Sequence, residues 1–216
     1  MRNDHLAPAL ARVSILTALL LLSASAALSQ SKKSDKHTSE AAADPYAARV
    51  KRTSFVSPSG ERVLRHEVIV SATLQEAWDS MTTSEGLMSF MAPVVRVELK
   101  TGGLFQSSYK VGSKLGDPGT ITNHVLSYVP LEMFSIKVNL TDQFPAEPRE
   151  AGTLFSVLTF QKTDDRHVKV AEAMVGWKQG PDWDKVYGFF DWGNSYTLGQ
   201  LCKRFEEGPV DWSKKK

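Results

Sequence analysis

Gly180-Pro181-Asp182-Trp183-Asp184-Lys185-Val186-Tyr187-Gly188-Phe189-Phe190-Asp191-Trp192-Gly193-Asn194-Ser195-Tyr196-Thr197-Leu198-Gly199-Gln200-Leu201-Cys202-Lys203-Arg204-Phe205-Glu206-Glu207-Gly208-Pro209 is the most regular stretch of the chain. Trp183, Tyr187, Phe190, Asn194, Leu198, Leu201 and Phe205 recur in it at steps of three and four. That spacing predicts one long amphipathic helix, with Asp182 as its N-cap and Gly208-Pro209 as its stop. Gly193 and Gly199 should weaken it locally. Asn194 is the polar interruption of the apolar stripe. A buried amide there needs partners, either a sheet residue such as Tyr128 or Ser156, or a polar group on a ligand.

Upstream of this helix the period changes to two. Val94-Val95-Arg96-Val97-Glu98-Leu99, Leu104 to Tyr109, Thr120 to Tyr128, Met133 to Leu140, Thr153 to Lys162 and Val168 to Val175 read as strands, parted by Gly102-Gly103, Asp117-Pro118-Gly119, Pro130 and Thr163-Asp164-Asp165-Arg166-His167. Thr141 to Glu150, with two prolines, reads as a polar connection. Before these strands, Phe55-Val56 and Val63 to Val70 should pair around the turn Ser57-Pro58-Ser59-Gly60. Thr73-Leu74-Gln75-Glu76 is a capping box opening a first short helix, and Ser84-Glu85-Gly86 opens a second that ends at Pro93. Strands in the middle with helices at either side make an α+β plan with an antiparallel sheet.

The N-terminus carries an export signature. Arg2 and Arg12 precede the apolar run Ile15-Leu16-Thr17-Ala18-Leu19-Leu20-Leu21-Leu22, and small residues from Ser23 to Gln30 follow. Residues 1–29 are expected to be a secretory signal peptide, cut after Ala26 or Ser29 and leaving no stable membrane insertion, so the mature chain would be periplasmic or extracellular. Residues 30–49 should form a flexible leader, 50–212 the folded domain and 213–216 a basic tail. The single cysteine, Cys202, permits no intramolecular disulfide and reads as a small apolar helix residue. A net charge of +2, partly in the tails, gives a nucleic-acid partner no electrostatic support.

The order of these motifs resembles the START, polyketide cyclase and Bet v 1-like (SRPBCC) superfamily, nearest to its activator of Hsp90 ATPase homologue (AHSA1-like) branch. The carrying residues are Val68-Ile69-Val70-Ser71-Ala72-Thr73, Glu76-Ala77-Trp78, Thr83-Ser84-Glu85-Gly86-Leu87, Gly102-Gly103-Leu104-Phe105 and Gly119-Thr120-Ile121. Phe90-Met91-Ala92-Pro93 departs from the family's W-x-x-P. The resemblance covers about Val63 to Trp212 and implies a helix-grip fold, in which a curved antiparallel sheet of about seven strands grips the C-terminal helix. It also implies a cavity for a small hydrophobic or amphipathic molecule. Trp78, Phe90, Phe105, Tyr109, Phe155, Trp177, Tyr187, Phe190 and Asn194 are the lining candidates, with Trp177-Lys178-Gln179-Gly180 as a mobile lip. The alternative occupation for those rings is plain core packing.

No metal-ligand spacing, nucleophile elbow, phosphate loop or dinucleotide fingerprint occurs, so no metal or cofactor is expected, and no catalytic residue is carried over from the family. A cavity enzyme of cyclase or lyase type would have to draw on Glu172, Asp182, His124 and Asn194. Glu172 shares a strand face with Met174, so it points either into the fold, with a raised pKa, or outward to solvent. Asp182, Asp184 and Asp191 suit the positive end of the last helix. The leading expectation is a non-enzymatic binding protein. A cavity enzyme and a protein-interaction module remain the alternatives.

Overall fold

In the computed structural model, residues 44–215 are described. The expected signal peptide, and the leader as far as residue 43, lie outside the described residues.

Strands β1 (Lys51–Arg52), β2 (Phe55–Val56) and β3 (Arg62–Val70) lead into helices α1 (Leu74–Thr82) and α2 (Ser84–Met88). Then come β4 (Val94–Val97), β5 (Leu104–Ser108), β6 (Ile121–Val129), β7 (Met133–Lys137), helix α3 (Ala146–Ala151), β8 (Phe155–Lys162), β9 (Val168–Val175) and the long helix α4 (Pro181–Glu207). One antiparallel sheet takes the order β1-β3-β9-β8-β7-β6-β5-β4, with β2 added to β3. The longer strands, β3 to β9, form the expected sheet of about seven. The count rises to nine because β1 and β2 are two-residue strands too brief to carry a period.

The local devices follow from sequence. The Thr73 hydroxyl accepts from the Glu76 amide while the Glu76 carboxylate accepts from the Thr73 amide, closing the capping box. Phe55 faces Val63 across the first hairpin. Two elements differ from expectation. Residues 146–151, expected as connection, form α3, because Pro145 precedes its first residue and Pro148 lies in its first turn, where a missing amide hydrogen costs nothing. The long helix starts at Pro181, with Gly180 at the cap position and no side-chain cap. Asp182 therefore sits inside the first turn, beside the positive end of the helix, where it pairs with Lys185.

Residues 44–49 also differ from a flexible leader. Ala47 is buried, Tyr46 donates its hydroxyl to Glu207, and Gln200 donates to Asp44. Gly199 makes this approach possible: a Cβ there would stand 2.8 Å from the Ala47 nitrogen. The glycine expected to weaken α4 is the place where the N-terminal segment seats on it.

The core fills the space between the inner face of the sheet and α1, α2 and α4, with Trp183, Leu198 and Leu201 of α4 fully buried. Cys202 is buried there too, its Sγ 3.9 Å from the Ile69 carbonyl oxygen, and burial pushes its thiol up to about 11. That is an inert, packed thiol.

Candidate ligand site between the sheet and the terminal helix

Alternation along each strand fixes which side chains meet α4. On β3 the inward row is Leu64, His66, Val68 and Val70, all buried. On β9 it is Val168, Val170, Glu172 and Met174; on β8 it is Ser156, Leu158 and Phe160. Pairing sets His66 directly opposite Glu172, and Glu172 opposite Leu158. A polar row, His66, Glu172 and Ser156, therefore crosses three neighbouring strands on an otherwise apolar face.

Each member of the row has its own partner. The Ser156 hydroxyl donates to Glu172 Oε1 at 2.7 Å. His66, 0 % exposed, meets Asp191 of α4 through Nε2 at 2.9 Å. Nε2 is placed to donate to the Asp191 carboxylate, and burial favours the neutral imidazole, in which Nδ1 then holds a lone pair. That Nδ1 is buried without a hydrogen-bond partner, as is the Ser195 hydroxyl. Burial pulls the His66 pKa down, and Asp191 opposes it only in part. Burial pushes the Glu172 carboxyl up, against the Ser156 hydrogen bond. Asn194 hangs from α4 above the same strand, its Nδ2 3.3 Å from Met174 Sδ rather than bonded to Tyr128 or Ser156.

Helix and sheet do not close on each other everywhere. Glu172 keeps accessible surface although it faces inward, as do Tyr187 and Phe190 on α4. Tyr109, which continues the inward row of Phe105 and Ser107, is 60 % exposed. Partial desolvation pushes its phenol up, and the charge of Glu172 adds to this. The part-exposed Glu172 and Tyr109 mark the candidate site, a hollow between sheet and α4 inferred from their accessibility.

The expected lining residues separate accordingly. Tyr109 lies within electrostatic reach of Glu172 and Asn194 hangs beside Met174, whereas Tyr187 packs against Arg62 and Trp177, and Phe190 against Phe144, Phe189 and Trp177. Trp78, Phe90 and Phe105 are core: Trp78 packs edge-on to Phe160 at 5.2 Å, and Phe105 lies 5.9 Å from Phe134. Phe155 alternates with Ser156 and so lies on the other face of the sheet. Trp177 is an anchor in place of the expected lip. It is buried, its Nε1 donates to the Met174 carbonyl oxygen at 2.9 Å, and its ring meets Tyr187 and Phe190. Of the four residues a cavity enzyme would need, Glu172 faces α4 and Asn194 projects from α4 toward β9. His124 alternates with Asn123 and Val125 and turns away from α4, and Asp182 pairs with Lys185 at the surface. His66 and Ser195 are members outside the expected set, and Asp191, expected to serve the positive end of α4, instead meets His66.

Two further depressions lie outside this hollow. One, of about 620 Å³, runs between α1, α2 and Arg204; the other, of about 290 Å³, lies on the outer face by Lys51 and Lys169. None of the nine expected lining residues borders either.

The charge state of Glu172 should be visible in stability. A carboxyl with its folded pKa raised is stable as the neutral form. Its contribution is complete below the ordinary carboxyl value and is lost as pH rises toward the folded one, because the unfolded chain gives up the proton first. Glu172→Gln keeps an acceptor for Ser156 and cannot ionise. We expect it to raise stability by about 1–3 kcal/mol at pH 8 and by little at pH 4, read from urea midpoints at the two pH values. A larger gain at pH 4 than at pH 8 would contradict a buried neutral carboxyl.

No family model and no curated protein matches the chain. Solved structures do. The protein MLL2253 of Mesorhizobium loti is similar with a TM-score of 0.51 at 20 % identity, over 66 % of this chain and 98 % of that one. The Aha1 dimer protein of Colwellia psychrerythraea gives 0.51 at 14 % identity, over 68 % and 97 %. CalU16 of Micromonospora echinospora gives 0.53 at 14 %, over 75 % and 86 %. At such identities the likeness speaks for the fold, and the fold is α+β, with a long C-terminal helix against a curved antiparallel sheet, of the kind that the Aha1 protein has.

Proposed function

We propose that this chain is an exported binding protein that holds a small hydrophobic or amphipathic molecule between its sheet and α4. The observation that carries the reading is the accessible surface on inward-facing Glu172 and on Tyr109, at a place where neighbouring inward side chains are sealed. Packed interiors leave few such gaps, and pockets of this make-up, apolar and aromatic walls with a few polar groups, are the usual form of small-molecule sites. The signal-like residues 1–29 support a place outside the cytoplasm.

Catalysis finds less support. The Asp191–His66 pair has the chemistry of an oriented base, but at 0 % exposure the imidazole touches nothing that enters the hollow. An interaction module has one observation in its favour, the ring cluster of Phe144, Phe189, Phe190 and Trp192, in which Phe189 is 44 % exposed.

One experiment tests the main reading. The full chain is expressed and the extracytoplasmic fraction is examined by native mass spectrometry, then titrated with N-phenyl-1-naphthylamine, a weakly basic apolar probe. We expect a mass lacking residues 1–26 or 1–29, a co-purified small molecule, and saturable probe binding at about one site per chain. An intact mass in the cytoplasm would remove export. No adduct and no saturable binding would remove the ligand site.

A further inference from the structure

We propose that the hollow takes an amphiphile by a cationic amine, which pairs with the Glu172 carboxylate. This rests on the hollow being a ligand site and names the head group that it selects.

The argument starts from what faces Glu172. Across β8 there is Ser156, which donates to Oε1. Across β3 there is His66, neutral and held through Nε2 by Asp191. From α4 come Asp191 and Asn194, and from the end of β5 the Tyr109 phenol, with Tyr196 near enough to act on that phenol. None of these is a cation. The basic residues of the same strands do not serve either. Arg65 and Lys169 alternate onto the outer face, and Arg62, at the start of the inward row, is held by Asp184 at 2.7 Å and lies 4.3 Å over the Tyr187 ring. Among the described residues Glu172 has no ion-pair partner within 4 Å.

With Glu172 ionised, the hollow offers acceptors. Glu172 Oε2 and Asn194 Oδ1 accept no hydrogen bond from the described residues, since Asn194 turns its Nδ2 to sulfur. The nearby cation Arg52 is held by Asp191 at 3.4 Å, so an anionic head such as a fatty-acid carboxylate would meet the Glu172 carboxylate with no free cation beside it. An alcohol could satisfy one acceptor. An ammonium supplies three N–H donors, a charge opposite to the carboxylate, and a fit to the π-face of Tyr109, which lies within electrostatic reach of Glu172. Burial favours the protonated form of the unoccupied carboxyl and amine binding favours the ionised form, so binding should release protons.

Isothermal titration of the purified chain with dodecylamine and with dodecanol, at pH 7 and below their micelle or solubility limits, tests this. We expect the amine to bind at least about tenfold more tightly than the alcohol, the margin of one desolvated charge pair. Its apparent enthalpy should change with the ionisation enthalpy of the buffer, reporting the released proton. In Glu172→Gln, an isosteric change, the preference should fall to about one, and in Asn194→Asp it should grow. Equal affinities in the wild-type chain, or a preference that persists in Glu172→Gln, would overturn the amine assignment while leaving the ligand site standing. If neither probe binds, the ligand site falls and the amine assignment with it.

Discussion

Replacing Gly176 by alanine should cost more than about 4 kcal/mol and leave little folded protein at 37 °C. Two independent penalties meet at this residue. Its φ of +89° lies in the region that L side chains avoid, and a Cβ built there would stand 1.8 Å from the Thr153 carbonyl oxygen, a backbone atom that no rotamer change can move aside. Thr153 also donates its hydroxyl to the Gly176 carbonyl oxygen at 2.7 Å, tying the start of β8 to the end of β9. Gly176 is where the chain leaves the sheet and turns toward α4, so the alanine would disturb both the pairing of β8 with β9 and the direction in which the helix departs. A urea titration followed by circular dichroism reads the loss. As a control, Gly188→Ala lies within α4, and a Cβ there meets nothing within 4 Å. It should stabilise by up to about 1 kcal/mol. A Gly176→Ala chain with an unchanged midpoint would mean that this crossing is not as tight as described.

The parts of the molecule legible in the sequence are those where one local rule dominates. The period-two runs gave β4 to β9 to within a few residues, because side chains on a half-buried sheet must alternate. The capping box gave the start of α1 because its two hydrogen bonds are made between residues three apart. Strands β1 and β2 are held by the pairing offered by β3, which no local pattern of two residues can announce. Helix α3 was hidden by its prolines, read as breakers although they stand where a helix tolerates them.

The polar row was only half legible, for a different reason. His66 sits at the alternate positions of Leu64, Val68 and Val70, so its inward direction was available from the strand alone. Asp191 stands one helical turn before Asn194 and was equally available as a neighbour. What neither pattern contains is the register between β3, β9 and β8. It is register that sets His66 across from Glu172 and brings Ser156 to the carboxylate. A charged side chain on a strand is ordinarily solvated, and Glu172 departs from that because its neighbours across the sheet, out of reach of any sequence window, leave it facing the helix.

The placement of α4 above that row depends on its first turn, and Trp183 is the residue that fixes it. The side chain is 0 % exposed, and its indole N–H donates to Glu147 Oε1 of α3 at 3.1 Å. One ring therefore joins α4, α3 and the core. Trp183→Ala should destabilise by about 3–5 kcal/mol, the range for deleting a buried aromatic side chain that the surroundings cannot refill. Trp183→Phe retains most of the volume and leaves the exposed Glu147 carboxylate to water, so a smaller loss of about 1 kcal/mol is expected. The pair of variants separates anchoring from filling. If the N-terminal turns of α4 are held by this ring, hydrogen exchange in Trp183→Ala should quicken first in residues 181–190 and only later near Leu198 and Leu201, which the core grips on its own. The hollow lies beneath those early-opening turns, so ligand affinity should fall in Trp183→Ala under conditions where the rest of the sheet is still protected. Uniform exchange along all of α4 would instead mean that the helix docks and detaches as one body, and that the ring at residue 183 has no special hold on the site.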